Sequence, residues 1–386
     1  MADPKHAAAT PSVLYVAPGQ RFHTLDGFRG VAAIVVMLFH FAGLARPRFL
    51  MHGFLAVDLF FILSGFVICH AYTAKMLAGL TPGQFLNRRL ARLIPTAACG
   101  VALGAGAILA LYDVNDPDFS FLNFALVHAG HIALLPAQLD YEIPARSPLL
   151  LFPSNPPMWS IFFELLASLG FIWFVYWRKW GLLVGWLAFS GLLVVCAIHM
   201  AHVSGGAVSA NLGWNQENFI GGFPRAIASF LCGMLLYRLT GGRQSLQLSR
   251  IGPVGNTVAV LALYLMACGL LLIPFYARGA YQFAAILVLF PALIAAGSLI
   301  PVRAGWLVAV SGFLGELSFP LYAVHEPVHM LTDIFLHRSG LPALPFAVTF
   351  ALKVPLALGT AYLLMELLAL FQAGPRLSRA LKPITG

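Results

Sequence analysis

The sequence predicts an all-α integral membrane protein, a polytopic bundle of about ten transmembrane helices. Hydrophobic residues make up 60% of the 386 residues and charged residues only 10%, whereas soluble domains are about half apolar and about a quarter charged. Apolar runs of about 18 residues or more recur along the chain, and each is long enough to cross about 30 Å of hydrocarbon. These two observations exclude a water-soluble globular protein.

The apolar runs predict ten membrane spans. They are residues 28–45, 54–72, 95–112, 158–176, 181–201, 221–238, 254–273, 280–300, 306–330 and 345–372. An even number of spans places both termini on one side of the membrane. The chain then divides into a cytoplasmic N-terminal tail (1–24), a single transmembrane domain (25–372) and a cytoplasmic C-terminal tail (373–386).

The distribution of basic residues predicts the orientation. With both termini cytoplasmic, 15 Lys and Arg residues fall in inside segments and 5 in outside loops, as the positive-inside rule requires. We therefore expect a multi-pass protein of the cell's inner membrane. Because the basic residues are scattered between apolar runs, the net charge of +9 predicts no nucleic-acid partner, and the lipid bilayer is the expected partner.

One long extramembrane segment, residues 113–157, falls on the outer side in this topology. It is acidic and contains several prolines. Its middle, FLNFALVHAGHIALLPA, is too short to span comfortably. We expect this stretch to lie in the membrane interface or to dip back into the protein.

Ionisable residues inside spans are candidates for a functional site, because burying them in hydrocarbon is costly. Arg29 and His40 lie eleven residues apart in the first span, about 16 Å along a helix axis. Histidine titrates near neutral pH, so His40 is predicted to be a general base. The alternative is a histidine that hydrogen-bonds a backbone carbonyl within the bundle.

Two carboxylates and a second isolated arginine are further candidates. Asp58 begins the second span, where the short preceding hairpin brings it towards His40 to orient the imidazole; the alternative is a helix cap. Glu164 shares a helix face with Ser160 at the i, i+4 spacing. Glu164 is predicted to pair with His40 or to bind an acceptor hydroxyl, or else to form a structural ion pair. Arg225 is expected to neutralise Glu164 or a negative charge that develops during reaction.

An arginine cluster lies at the cytoplasmic mouth of the third span, in NRRLARLIP. Its members are Arg88, Arg89 and Arg92. Guanidinium groups suit phosphate oxygens, although lipid headgroups are an alternative ligand. Small residues nearby, Gly100 and Gly104, are expected to be helix packing contacts, as are Ser64 and Gly65 in the second span.

The segment LSFPLYAVHEPVH contains the zinc-hydrolase pattern H-E-x-x-H, formed by His325, Glu326 and His329. That site needs an unbroken helix, and Pro327 is expected to interrupt it. The five cysteines show no metal-binding or redox spacing either. We therefore predict no metal, and we expect His325 to hydrogen-bond with Tyr322 in a cavity.

Six separated blocks agree, in order, with a known family. They are LDGFRGVAAIVVMLFHF (25–41), GFLAVDLFFILSGF (53–66), RRLARLIP (88–95), WSIFFE (159–164), FPRAIASFLCG (223–233) and LGELSFPLYAVHEPV (314–328). The chain thereby resembles the acyltransferase-3 family of integral membrane acyltransferases, which modify bacterial surface sugars and other acceptors. Arg29 and His40 match its Arg-ten-residues-His signature and Arg89 with Arg92 its RxxR motif, while Ala56 replaces a usual glycine.

The resemblance implies an O-acyltransferase. Cytoplasmic acyl-CoA would be the co-substrate, its phosphates meeting the RxxR arginines, and an acetyl or short acyl group would pass to a hydroxyl of a cell-surface saccharide or similar acceptor. The expected catalytic residues are His40, Arg29, Asp58 and Glu164; the donor-binding residues are Arg88, Arg89 and Arg92; the acceptor-binding residues are Trp159, Ser160, Arg225, Tyr322 and His325.

Two points stay open at the level of sequence. His40 either deprotonates the acceptor or carries the acyl group itself. The alternative function is a proton-coupled secondary transporter, since buried His, Glu and Arg residues also make proton relays.

Overall fold

The structure, a computed structural model, describes residues 13–15, 21–43, 48–111, 119–140, 149–240, 243–245, 252–274, 278–340 and 344–380. It confirms the all-α fold. The helices are α1 (His23–Phe41), α2 (Ala56–Leu77), α3 (Pro82–Leu111), α4 (Phe121–Ile132), α5 (Met158–Phe174), α6 (Lys179–Ser204), α7 (Phe219–Thr240), α8 (Pro253–Leu272), α9 (Arg278–Ala284), α10 (Phe290–Leu299), α11 (Gly305–Arg338) and α12 (Phe346–Ala380). Short 3₁₀ turns at Arg48–Leu50 and Gly53–Leu55 precede α2, and a π-helical turn at Ala285–Leu289 joins α9 to α10.

The observed helices correspond to the predicted spans. Within the described ranges, nine helical segments are long and apolar enough to cross a bilayer. The tenth predicted span is α5, which at 17 residues is at the lower limit of a spanning helix. The third span was predicted to begin at residue 95, but α3 begins at Pro82. Hydropathy detects only the apolar part of a helix, so its polar first turns, which carry the arginine cluster, were missed.

Some predicted features lie outside the described residues. They are most of the N-terminal tail 1–24, the end of the C-terminal tail 373–386, and the acidic residues Asp113, Asp116, Asp118 and Glu142 of the outer segment.

A short strand pair connects two segments at one end of the bundle. Strand β1 (Val13–Tyr15) pairs antiparallel with β2 (Arg243–Ser245), which follows α7. The chain must cross the bundle an even number of times between these strands, as the predicted topology requires.

The centre of the bundle consists of α1, α2, α7 and α11. Helix α1 packs against α11 and α2, α2 packs against α7, and α11 also contacts α3 and α12. The outer helices α6, α8 and α12 expose large apolar side chains, among them Trp180, Leu265 and Leu370. These helices present the apolar surface that lipid requires, while the interior of the bundle holds the buried charged residues Asp58, Arg89 and Arg225.

Glycines bring the central helices into backbone contact. A Cβ atom at Gly65 of α2 would collide with the Phe230 carbonyl oxygen of α7, and one at Gly233 of α7 with the Ile62 carbonyl oxygen. Gly100 and Gly104 of α3 similarly meet backbone oxygens of α11 and of the segment before α5. The predicted packing roles of Gly65, Gly100 and Gly104 are thus confirmed.

Helix α4 lies in the outer segment and is too short to span. Its Phe124 and His131 side chains are buried, while Phe121 and Leu126 are exposed. The helix therefore packs one face on the protein and presents an apolar face outward. Burial lowers the pKa of the His131 imidazole to about 4, so this histidine is neutral at physiological pH.

Candidate active site

Two cavities occupy opposite halves of the bundle. The first, here called the basic cavity, has a volume of about 90 Å³ and lies towards the N-terminal end of α1. Its walls include Arg29, Ser64, Arg89, Arg92, Glu164 and Phe319. The second, the histidine cavity, has a volume of about 790 Å³ and lies towards the C-terminal end of α1. Its walls include His40, Trp159, Trp214, Glu326, His329 and Asp333.

The basic cavity carries an excess of positive charge. Three guanidinium groups line it, and Glu164 is its one acidic lining residue. Arg89 Nη2 lies 2.6 Å from Glu164 Oε1, which also accepts a hydrogen bond from Ser64 Oγ at 2.8 Å. Arg92 forms no ion pair within the described residues, and buried Arg89 Nε has no hydrogen-bond partner there. The wall thus retains donors and positive charge for an anionic ligand.

A histidine pair defines the geometry around His40. His325 is fully buried, and its Nδ1 lies 3.0 Å from the Leu321 carbonyl oxygen. Because a carbonyl only accepts, His325 Nδ1 is the protonated nitrogen and its Nε2 is an acceptor. His40 Nδ1 lies 3.0 Å from that Nε2 and 3.0 Å from the Val36 carbonyl oxygen.

Two acceptors, the Val36 carbonyl oxygen and His325 Nε2, lie at hydrogen-bond distance from His40 Nδ1, so this nitrogen carries the proton of the neutral ring. The lone pair is then on Nε2 of His40. The ring is thus in the tautomer that a general base requires. His40 also lines the histidine cavity.

The sequence matches the acyltransferase domain of the acyltransferase-3 family over residues 22–366. The chain belongs to this family. It is therefore a membrane-bound O-acyltransferase, and the alternative of a proton-coupled transporter is not supported.

Two curated proteins illustrate the relationship. The chain is 39% identical over 163 residues to Protein 2 in picA locus of Rhizobium radiobacter, covering 39% of this chain and 81% of that protein. It is 37% identical over 117 residues to BcsY of Komagataeibacter xylinus, named as a candidate membrane-bound transacylase, covering 30% of this chain and 28% of that protein. No solved structure matches significantly.

The two residues of the family signature serve different cavities. Arg29 lines the basic cavity and His40 the histidine cavity, although both belong to α1. Arg29 Nη1 lies 3.9 Å from Asp26 Oδ1. Helix α1 therefore contributes a side chain to each of the two cavities. Arg88 is exposed and does not line the basic cavity, in contrast to Arg89 and Arg92.

The expected position of Asp58 beside His40 is corrected by the structure. Asp58 is fully buried and its two oxygens accept from Arg225 Nε and Nη2, at 2.9 and 2.7 Å. Arg225 also donates to the Leu212 carbonyl at 2.9 Å. This pair binds α2 to α7 and the chain before it, so Arg225 neutralises Asp58 rather than Glu164.

Glu164 also has a different partner from the one expected. Its carboxylate meets Arg89 and Ser64 in the basic cavity and not His40. Of the three alternatives considered for Glu164, the structure shows the ion pair, formed with Arg89. Residues 75 and 100 positions away supply these contacts, which is why periodicity along one helix did not identify them.

Three predicted acceptor-binding residues line the cavities: Ser160 lines the basic cavity, Trp159 the histidine cavity and Tyr322 both. The Tyr322 and Ser160 hydroxyls lie 2.6 Å apart, and both lie within hydrogen-bond distance of the Pro157 carbonyl oxygen, at 3.1 and 3.0 Å. Trp159 lines the histidine cavity and lies 5.2 Å from the Arg225 guanidinium. Arg225 itself is fully buried and lines neither cavity.

His325 was expected to contact Tyr322, and their rings lie 5.7 Å apart. Its hydrogen bond, however, goes to His40. His325 is therefore a positioning residue for His40 in this geometry. Nothing in the sequence signalled that contact, because the two residues are 285 positions apart.

The reason given for excluding zinc at the H-E-x-x-H segment was wrong, because α11 continues through Pro327. Proline lacks the N–H that would bond the carbonyl four residues earlier, and Asn155 Nδ2 donates to that Ala323 oxygen at 2.7 Å. The two histidines have separate partners, since His329 Nε2 lies 3.6 Å from Asp333. Among the described residues no group of three metal-ligating side chains comes together.

Proposed function

We propose that this acyltransferase uses acyl-CoA, bound through the basic cavity, and transfers its acyl group to a hydroxyl of a saccharide or similar acceptor in the histidine cavity. The observation that carries the proposal is the separation of functions along α1. Arginine side chains line one cavity, and an imidazole in the base tautomer lines the other. If the side of the bundle that is rich in Lys and Arg faces the cytoplasm, as the positive-inside rule predicts, the donor enters from the cytoplasm and the acceptor from the outer side.

The donor assignment is supported by the charge of the basic cavity. CoA carries phosphate groups, and planar guanidinium groups bind phosphate oxygens through paired, charge-assisted hydrogen bonds. Arg92 is accessible and without an ion pair among the described residues, whereas Arg89 is held by Glu164. Arg92 is thus placed to receive a phosphate, and Glu164 to fix the neighbouring guanidinium.

The acceptor assignment is supported by the composition of the histidine cavity. Trp159 and Trp214 provide flat apolar faces, and Glu326 and Asp333 provide carboxylate oxygens. Sugar rings present apolar faces and hydroxyl groups, which match aromatic surfaces and hydrogen-bond acceptors respectively. The cavity volume of about 790 Å³ lies in the range of small-molecule sites.

The chemistry follows from the tautomer of His40. Nε2 takes the proton of the acceptor hydroxyl while the oxygen attacks the thioester carbonyl carbon. The carbon–sulfur bond of the tetrahedral intermediate then breaks. The departing thiolate takes the proton from His40 Nε2, so the products are an ester and free CoA, and His40 returns to its starting state. Throughout these steps the proton on His40 Nδ1 stays in place and is donated in a hydrogen bond to His325.

Binding of CoA tests the donor assignment. Removing Arg92 leaves no carboxylate unpaired, so Arg92→Ala is the suitable variant. Loss of a charged hydrogen-bond pair should weaken CoA binding about 10- to 100-fold, and added salt should weaken wild-type binding. The measurement is calorimetric titration of the detergent-purified protein with CoA.

The exposed Arg178 at the start of α6 lines neither cavity, so Arg178→Ala is the matched control and should bind CoA as the wild type does. Folded wild-type protein that fails to bind CoA would contradict the donor assignment. Equal affinity of wild type and Arg92→Ala would contradict the role of the basic cavity.

A further inference from the structure

Two residues belong to the walls of both cavities and define the junction between them. Of the residues described, Val57 of α2 and Tyr322 of α11 line both cavities. Both side chains are nearly buried, at 5% and 4% exposure. Every other named wall residue belongs to one cavity only, so these two side chains separate the arginine wall from the histidine wall.

Tyr322 is held in place from three sides. Its hydroxyl bonds the Pro157 carbonyl and the Ser160 hydroxyl, at 3.1 and 2.6 Å. The ring of Phe60 packs edge-on against it, with ring centroids 5.8 Å apart. A side chain with both ends fixed cannot rotate away without breaking these contacts, so the Tyr322 side of the junction is rigid.

Val57 forms the other side and has no polar anchor. Its side chain belongs to α2, whose position is fixed by the backbone contact of Gly65 with α7 and by the Asp58–Arg225 pair. The helix cannot retreat, and a valine has few rotamers on a helix. The width of the junction is therefore determined mainly by the size of residue 57.

We propose that Val57 and Tyr322 form the passage between the cavities and that Val57 sets the largest acyl group the enzyme transfers, restricting it to short, unbranched acyl thioesters. The inference rests on the proposed function, because a thioester held in the basic cavity must bring its carbonyl carbon past these residues to reach an acceptor beside His40. The basic cavity, at about 90 Å³, is far smaller than the histidine cavity, at about 790 Å³, so the donor side offers little space for a long acyl chain.

Chain-length selectivity of Val57 variants tests the proposal. Release of free CoA from acetyl-, butyryl- and hexanoyl-CoA is measured for the purified protein with methyl glucoside as the hydroxyl probe. Shortening the side chain in Val57→Ala should raise kcat/KM for hexanoyl-CoA relative to acetyl-CoA by about tenfold or more, the range for a methylene in an apolar site. Val57→Phe should lower CoA release from all three donors, and most strongly from hexanoyl-CoA.

Val101→Ala is the matched control, since Val101 is equally buried on α3 and lines neither cavity. It should keep the wild-type ratio of hexanoyl to acetyl activity. An active wild type with the same ratio in Val57→Ala, and undiminished release in Val57→Phe, would overturn this inference and leave the proposed function intact. Folded wild-type protein that releases CoA from none of the three donors would overturn both.

Discussion

His40 and His325 form a unit whose protons are ordered by backbone carbonyls. The Leu321 oxygen fixes the proton on His325 Nδ1, which makes His325 Nε2 an acceptor for His40. A fixed imidazole presents its basic nitrogen at one place, and such orientation contributes to catalysis without contact with the substrate. The full burial of His325 excludes it from binding the acceptor directly.

The first prediction concerns this pair. In His325→Leu one of the two acceptors for His40 Nδ1 is lost and only the Val36 carbonyl is left, so kcat should fall about 10- to 100-fold, as when other partners that orient a histidine are removed. His325→Gln offers a carbonyl oxygen at a similar distance and should recover much of the rate. The measurements are kcat and CoA affinity for both variants.

A positioning role requires that CoA affinity stay unchanged while kcat falls. If the leucine and glutamine variants are equally impaired, or if CoA affinity falls in parallel with kcat, the His325 side chain has only a structural role.

Residue pairing marks the limit of prediction from sequence. Burial in an apolar span identified Arg29, His40, Asp58, Glu164 and Arg225 as unusual, because charged groups there are costly. Their partners depend on which helices meet and at what rotation. Asp58 and Arg225 lie 167 positions apart, and periodicity within one helix carries no information about such a contact.

Among the helices, those of the centre are defined by close backbone contact. Helices α2 and α7 approach so closely at Gly65 and Gly233 that a Cβ atom has no space. In a membrane this approach stabilises the pair through van der Waals packing, because lipid provides no hydrophobic force between helices. The α2–α7 contact also positions Asp58, Arg225 and one side of the cavity junction.

A second prediction compares two glycine substitutions. Gly65→Ala should destabilise the protein by about 1–3 kcal/mol through overpacking. Gly269 on α8 faces open space, and Gly269→Ala should be neutral or stabilise by up to about 1 kcal/mol because alanine favours the helix. Thermal unfolding in detergent provides the measurement.

Equal melting temperatures for the two glycine variants would contradict the close contact between α2 and α7. At this scale the sequence was informative, since hydropathy located the nine spanning segments of the described residues and the shorter helix α5. The prediction that Pro327 interrupts the helix was wrong. The backbone carbonyl that Pro327 cannot donate to accepts a hydrogen bond from the Asn155 side chain instead, so the helix continues.

For the whole molecule, the important feature is the arrangement of the two cavities in opposite halves. The sequence placed arginines and histidine at different depths of the bundle, and the resemblance implied a donor side and an acceptor side. The shape of the cavities and their junction was not predictable, since Val57 and Phe60 are ordinary apolar residues in an apolar span.

A third prediction concerns the outer segment. Burial lowers the pKa of His131 to about 4 and also lowers that of His128, whereas an unfolded histidine titrates near pH 6.5. Between these values the unfolded chain binds more protons, so stability falls as the pH falls. Titration of His131 alone should lower the free energy of unfolding by about 2 kcal/mol between pH 7.5 and pH 5.

The measurement is the melting temperature at both pH values. In His131→Gln, where the group no longer titrates, the difference between the two temperatures should shrink. An unchanged difference would show that His131 is not the group responsible.

The central claim is that His40 is the base for acyl transfer from acyl-CoA, and turnover by His40→Ala tests it most directly. The purified wild type and the variant are compared for binding of acetyl-CoA and for release of free CoA with methyl glucoside as acceptor. We predict wild-type binding by His40→Ala and a loss of CoA release of about 10²-fold or more, the contribution of a general base. Release at the wild-type rate by a folded His40→Ala protein would contradict the account.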